Sequence, residues 1–168
     1  MLRHGTGSAA RAASYVLDEK DHMNIVRPHV EVLCGDPHLF AKIADSSPFK
    51  HKYTSAVIAF AEEDQPTDIE IKDVLKQFEA LAFSGLEPDQ YHMTAVLHQE
   101  PNGSKHVHIL VPRLELRSGK AMNIAPPGRF QKHFHTLQDK LNSEYGWADP
   151  KDPDRARFTK KGYELYLQ

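Results

Sequence analysis

Two runs of alternating residues separated by Pro101-Asn102-Gly103 constrain this chain more than any other feature. After the turn comes His106-Val107-His108-Ile109, and before it the run from Tyr91 to His98. Successive side chains of a β-strand point to opposite faces. His106 and His108 therefore share one face, with Val107 and Ile109 on the other. Before the turn, Tyr91, Met93, Ala95 and Leu97 take one side and His92, Thr94, Val96 and His98 the other. The loop decides whether His98 joins the later pair. Proline suits the second position of a type I turn, asparagine the third, and glycine the left-handed residue that follows. A three-residue loop of that kind carries a glycine bulge and sets Glu100 opposite Ser104 and His98 opposite His106. A two-residue Asn-Gly loop would instead set His98 opposite Val107, on the other face.

In the three-residue register the imidazoles of His98, His106 and His108 converge, because directly opposed residues lie about 5 Å apart and diagonal ones roughly 7–8 Å. Three neutral imidazoles can hold a divalent transition metal and leave coordination positions open. Such an ion polarises a phosphoryl oxygen and offsets charge in the transition state. In a chain with 11 histidines, the plainer alternative is a group of partly exposed strand histidines bonded to backbone. Other histidine-based classes match poorly. Histidine-triad nucleotide hydrolases need a third alternate histidine where Leu110 stands, and two-histidine phosphodiesterases need a second motif like His92-Met93-Thr94. A closed structural zinc site wants a fourth ligand, and the one cysteine, Cys34, has no CxxC partner.

The rest of the chain mixes helices and strands without regular βαβ alternation. Alanine-rich Ala9 to Leu17 reads as a helix. Asp36-Pro37 is a helix cap followed by proline at the first helical position, with Leu39, Phe40 and Ile43 as the apolar stripe. Thr54 to Ala61 reads as a strand. Thr67 to Phe83 predicts a helix with Ile71, Val74, Leu75, Phe78 and Leu81 on one face, ended by Gly85. A last helix from Arg129 to Tyr145 turns Phe130, Phe134, Leu137, Leu141 and Tyr145 inward, leaves His133 and His135 on the surface, and stops at Gly146. The expected class is α+β, a mainly antiparallel sheet backed by helices. One domain is expected over residues 1–148, and a basic tail or linker over 149–168, leading to a further region if the chain is a piece of a longer protein.

Several blocks, in order and at consistent spacing, resemble the MOB-P group of plasmid mobilisation relaxases, within the HUH endonuclease superfamily. The resemblance runs from Ser8 to Pro150 and is nearest to relaxases of small colicin-type plasmids. Ser14-Tyr15-Val16-Leu17 is similar to the motif carrying the nucleophilic tyrosine. Val32-Leu33-Cys34-Gly35-Asp36-Pro37, the segment Ser47 to Ser55, and Ala59-Phe60-Ala61-Glu62 are similar to the blocks that follow. His98-Gln99-Glu100 with His106-Val107-His108 matches the metal motif, and Leu114 to Lys120 the segment after it. Some colicin-plasmid relaxases carry Glu and Asn at the places of His106 and His108, whereas this chain has the three-histidine form commoner among relaxases generally.

Composition restrains that reading. At 168 residues and 40% hydrophobic the chain suits one globular domain with a real core. No run approaches a membrane span and no secretory signal is evident, and one cysteine excludes an internal disulfide, so the cytoplasm is the expected compartment. The formal net charge of −2 does not advertise nucleic-acid binding. Its distribution is uneven, however. Acidic residues crowd Glu62-Glu63-Asp64 and Asp68 to Asp73, while Arg113, Arg117, Lys120, Arg129 and Lys132 follow the hairpin and Arg155, Arg157, Lys160 and Lys161 fill the tail. A local basic stripe can track phosphates in a neutral protein, though the same residues also suit an ordinary solvated surface.

The resemblance implies an enzyme that nicks one DNA strand at a plasmid or mobile-element transfer origin, through a 5′-phosphotyrosine adduct, and can reseal it. Tyr15 is the implied nucleophile. A phenol needs a base or nearby positive charge to act so. Tyr53, Tyr91 and Tyr145 sit on apparent core faces, and Tyr163 and Tyr166 lie in the tail. His98, His106 and His108 would hold the divalent ion, magnesium or manganese, with zinc, nickel or cobalt able to take its place in a crystal. Glu62 or Glu100 would orient a ligand histidine through its second nitrogen. Arg113, Arg117, Lys120 and Arg129 are the expected phosphate contacts. The expected partners are single-stranded origin DNA, accessory mobilisation proteins and a coupling protein. The competing readings are a rolling-circle replication initiator or transposase of the same endonuclease class, and a non-catalytic metal- or DNA-binding module in which Tyr15 is structural.

Overall fold

A computed structural model describes residues 2–20 and 23–155. Five strands form one sheet: β1 (Leu2–Gly5), β2 (His29–Cys34), β3 (Tyr53–Ala59), β4 (Thr94–Gln99) and β5 (Lys105–Pro112). Their order is β1-β3-β5-β4-β2, and every neighbouring pair is antiparallel. Four α-helices complete the fold: α1 (Ala9–Leu17), α2 (Pro37–Ser46), α3 (Asp68–Ala82) and α4 (Arg129–Tyr145). The α+β class expected from the sequence is the one observed.

The histidine hairpin occupies the middle of the sheet, and this explains its composition. β5 lies between β3 and β4, so both of its faces need cover. On one face Val96 and Leu110 meet Ala9, Ala13 and Val16 of α1 and Phe40 and Ala44 of α2. On the other, Ala95, Leu97, Val107, Ile109 and Val111 pack against Ile71, Leu75 and Phe78 of α3, with Phe134 of α4 at the margin. Each fully buried large aliphatic side chain of this kind contributes roughly 1.5–3 kcal/mol. His98, His106 and His108 belong to the first face, since they pair with the register positions of Val96 and Leu110. The histidines therefore emerge where α1 ends.

Local chemistry sets the helix ends. The Asp36 carboxylate accepts from the backbone N–H groups of His38 (2.8 Å) and Leu39 (3.2 Å), with Pro37 at the first helical position. Thr67 and Glu70 form a reciprocal capping box on α3. Gly146 adopts φ 69° and closes α4 in the left-handed conformation that glycine tolerates. For α1 the acceptor comes from elsewhere. Ser8 makes no side-chain cap, and the Asp45 carboxylate of α2 accepts from Ala9 N (2.8 Å) and Ala10 N (3.1 Å) instead.

Three expectations need correction, and one strand was not foreseen. Phe130 does not face inward: it is 54% exposed, because the first turn of α4 projects past its packing partners. Tyr91 to Met93 are not strand, since a short 3-10 turn at Pro88–Gln90 leads in and β4 begins at Thr94. The third strand is Tyr53–Ala59, and a turn bonded Asp64 N to Ala61 O replaces its expected end. The sheet also has an edge strand, β2, that the sequence pattern did not announce. Arg157, Lys160, Lys161, Tyr163 and Tyr166 lie outside the described residues. Among the described residues, no helix is long and apolar enough to cross a membrane.

Candidate active site

The turn adopts the three-residue geometry. Gly103 sits at φ 87° and its N–H donates to Glu100 O at 2.8 Å, while Glu100 N donates to Ser104 O at 2.9 Å. Asn102 Oδ1 accepts from Ser104 N (3.1 Å) and Ser104 Oγ (2.8 Å) and so stiffens the tip. The resulting register sets His98 opposite His106 and Val96 opposite His108. The His98 and His108 rings are diagonal neighbours with centroids 4.4 Å apart.

The end of α1 lies over these rings. His98 is fully buried, and its Nε2–H donates to Val16 O at 2.7 Å. Val16 O belongs to the last turn of the helix, where carbonyls lack helical partners. The bond fixes the imidazole tautomer and leaves Nδ1 buried with no hydrogen-bond partner. Tyr15, next in sequence, is 44% exposed and its ring stands edge-on to His108 at 6.2 Å. The Arg27 guanidinium carbon is 5.5 Å from the centroid of the Tyr15 ring. Arg27 is buried, and its Nη1 donates to Asp18 O and Lys20 O, both at 2.7 Å.

Burial sets the charge of the imidazoles. It pushes the His108 pKa down to about 4, and the neighbouring His98, His106 and Arg27 push in the same direction. His98 is also lowered by burial, against the opposing effect of its bond to Val16 O. Both rings are thus neutral near neutral pH, as metal ligation requires. An unpartnered buried Nδ1, whose ring donates its other N–H to a carbonyl, has the arrangement usual for a metal-binding histidine. The donor set fits a divalent ion. Among the described residues, however, no three His, Cys, Asp or Glu side chains are already gathered as a ready-made metal cage. The imidazoles share a face and a register without forming a closed ligand set.

The remaining expected residues scatter. Glu100 Oε1 lies 3.8 Å from His106 Nδ1 and 3.7 Å from Arg27 Nε, in ion-pair range but beyond a hydrogen bond. Glu62 is exposed and receives the Asn102 amide at 3.5 Å, outside the turn. The group that orients a buried imidazole here is a backbone carbonyl. Arg113 follows the far end of β5, five residues beyond His108 and so about 17 Å along the strand direction. Its Nε donates to Met122 O at 3.3 Å. Arg117 is paired with Asp89 through two hydrogen bonds, at 2.8 and 2.5 Å. Lys120 is exposed, and Arg129 is exposed at the start of α4 in the opposite layer. Arg27 was not anticipated: a single arginine in an irregular segment carries no periodic signal.

Tyr15, Arg27, Glu100, Asn102, His106 and His108 line a cleft of about 600 Å³. A second cavity, of about 490 Å³, lies between β3 and α4 and is lined largely by Phe78, Phe134, Leu141 and Trp147. It is mainly apolar and remote from the histidines. The cleft at the end of α1 is where a polar substrate would meet ionisable groups.

Comparison with known proteins agrees with the fold. Residues 38–147 match the family described as relaxase, MobA/VirD2-like, nuclease domain. The chain is 31% identical over 153 residues to the DNA relaxase MbeA of Escherichia coli, covering 91% of this chain and 28% of that protein. It is 30% identical over 168 residues to cryptic plasmid protein C of Neisseria gonorrhoeae, covering 98% of this chain and 77% of that one. A solved structure described under "Molecular Basis of Vancomycin Resistance Transfer in Staphylococcus aureus" shares the fold at TM-score 0.50 and 13% identity, over 89% of this chain and 95% of its own. The chain thus spans little more than a quarter of its Escherichia coli relative.

Proposed function

Because the chain belongs to the MobA/VirD2-like relaxase nuclease family, we propose that it nicks one DNA strand at a transfer origin by tyrosine transesterification, with Tyr15 as nucleophile. The observation that carries this reading is the bond from His98 to Val16 O, which docks the end of α1 so that Tyr15 stands 6.2 Å from His108. A nucleophile and an electrophile-activating group must be held close together for such a step. The tie between helix and strand supports that reading, since it seats Tyr15 beside the histidine face.

In the proposed step the Tyr15 oxygen bonds to phosphorus and the bond from phosphorus to the 3′ oxygen breaks. The phenolic proton passes to water or a neighbouring base, and the departing 3′ oxygen takes up a proton. The strand is left with a free 3′-hydroxyl and a 5′-phosphate joined to Tyr15. One phosphodiester replaces another, so the reverse attack reseals the strand. His98, His106 and His108 would hold the divalent ion, magnesium or manganese, which would supply a Lewis acid to draw charge from the scissile phosphate. The neutrality of His98 and His108 keeps their lone pairs available for it. Single-stranded origin DNA is the proposed substrate, with Arg113, Lys120 and Arg129 as proposed phosphate contacts and Arg117 held back by its pair with Asp89.

The test is incubation with single-stranded oligonucleotides tiled from the DNA adjoining this chain's own gene, with manganese or magnesium. A covalent protein–DNA band is expected, abolished in Tyr15→Phe while oligonucleotide binding persists. Binding with no adduct in the wild type would replace the enzyme with a DNA-binding module.

A further inference from the structure

Arg27 stands in an environment that a structural role alone does not explain. Its side chain is only 2% exposed, and its Nη1 secures the carbonyls of Asp18 and Lys20 that follow α1. A single ammonium group would serve that purpose. Nε is buried and has no hydrogen-bond partner, and a buried charged donor left unpaired is costly. The carboxylate of Glu100 approaches to 3.7 Å without bonding. That same carboxylate oxygen is 3.8 Å from His106 Nδ1, so guanidinium and imidazole share one carboxylate oxygen in ion-pair range. Beside them is the Tyr15 ring, and all four residues line one cleft.

A planar guanidinium presents several N–H donors in a fixed fork that matches phosphate oxygens. Resting on the reading that Tyr15 attacks a phosphodiester, we propose that Arg27 is the phosphate clamp of this site: its guanidinium donates to a non-bridging oxygen of the scissile phosphate. The phosphodiester carries one negative charge before attack and gains a second as the phenol oxygen adds. A fixed cation at the non-bridging oxygen stabilises that gain. The arrangement also explains why the fork is held rigidly. Nη1 is anchored to main-chain oxygens, so the guanidinium is positioned before substrate arrives and needs no reorganisation during the step.

The test uses the full chain and an oligonucleotide on which the wild type forms an adduct. Arg27→Lys is expected to slow adduct formation on the order of 10²-fold. Affinity for the same oligonucleotide, measured in a Tyr15→Phe background, should change by less than about five-fold, since many phosphate contacts share the binding. Millimolar guanidinium should partly restore the rate of Arg27→Ala. A second measurement needs no variant. Phosphorothioate placed at the scissile position should slow the wild type in one diastereomer, and manganese should not relieve that penalty, as it would for an oxygen bound to metal. Arg27→Lys nicking at the wild-type rate, or neither diastereomer showing a manganese-insensitive penalty, would overturn the clamp alone. A wild type without adduct, or a Tyr15→Phe variant that retains it, would overturn the underlying reading as well.

Discussion

The Nε2–H of His98 donates to the main-chain oxygen of Val16 at 2.7 Å, joining residues 82 positions apart. One hydrogen bond thus fixes both the orientation of a buried imidazole and the seat of the helix that carries Tyr15. Its two consequences can be separated by comparing two histidines of the same face. His98→Ala removes a buried ring and strands a helix-end carbonyl, which should cost about 2–4 kcal/mol in the metal-free protein. His106 is a third exposed, so His106→Ala should stay within about 0.5 kcal/mol. Urea denaturation in the presence of a chelator measures both. Calorimetric titration with manganese should show binding weakened in each. Equal stability of His98→Ala and wild type would remove the proposed tie.

Asp45 stabilises the other end of the same helix. Its carboxylate accepts from Ala9 N and Ala10 N, an N-cap supplied by α2 and not by the preceding residue. Asp45→Ala should destabilise the fold by about 1 kcal/mol. Hydrogen exchange should accelerate first at the amides of α1, and adduct formation should slow because Tyr15 rides on that helix. Unchanged exchange in α1 would mean that solvent caps it equally well.

Acid should weaken the metal-free protein in a defined window. An imidazole in the unfolded chain takes its proton near pH 6.5, whereas folded His108 takes it only near pH 4. Between those values the unfolded chain binds more protons, so stability falls as pH falls. The contribution is complete above pH 6.5 and is lost progressively toward pH 4. Each tenfold difference in proton affinity between the folded and unfolded chain is worth about 1.4 kcal/mol, so the loss from this residue is a few kcal/mol at most. Urea midpoints at pH 7.5, 5.5 and 4.5 with a chelator would measure it, and His108→Gln should flatten the profile. A wild-type midpoint that holds steady to pH 4.5 would contradict the burial-driven lowering.

The parts legible in the sequence were those written in local chemistry. Pro101-Asn102-Gly103 dictated the hairpin loop, and the loop dictated which residues face His106. Asp36-Pro37 and Gly146 marked helix ends because each acts on the backbone beside it. What stayed hidden was set by tertiary context. β2 is an edge strand with exposed Glu31 and Val32, so it lacks the apolar alternation of a half-buried strand. The cap of α1 comes from a residue 36 positions away. Phe130 fits the helical period yet projects past its partners, since periodicity gives a direction and not the extent of the neighbouring surface. Arg27 owes its place to burial and to carbonyls at the end of α1, which no motif announces.

The basic residues after β5 should not contribute equally to DNA binding. Each phosphate neutralised on a single strand adds about 0.7 to the slope of log affinity against log salt. Lys120 is exposed and free to supply one such contact. The Arg117 fork is already engaged by both carboxylate oxygens of Asp89, so a phosphate would have to displace a bidentate partner. Lys120→Ala should therefore lower the slope by about 0.7, while Arg117→Ala should leave it nearly unchanged. Asp89→Asn, which weakens the internal pair, should raise the slope by releasing Arg117 for phosphate. Fluorescence anisotropy with a labelled oligonucleotide across a salt series measures all three. An equal loss from Lys120→Ala and Arg117→Ala would mean that the pair with Asp89 opens on binding. No change from any of them would place the DNA path elsewhere, nearer the cleft between Tyr15 and Arg27.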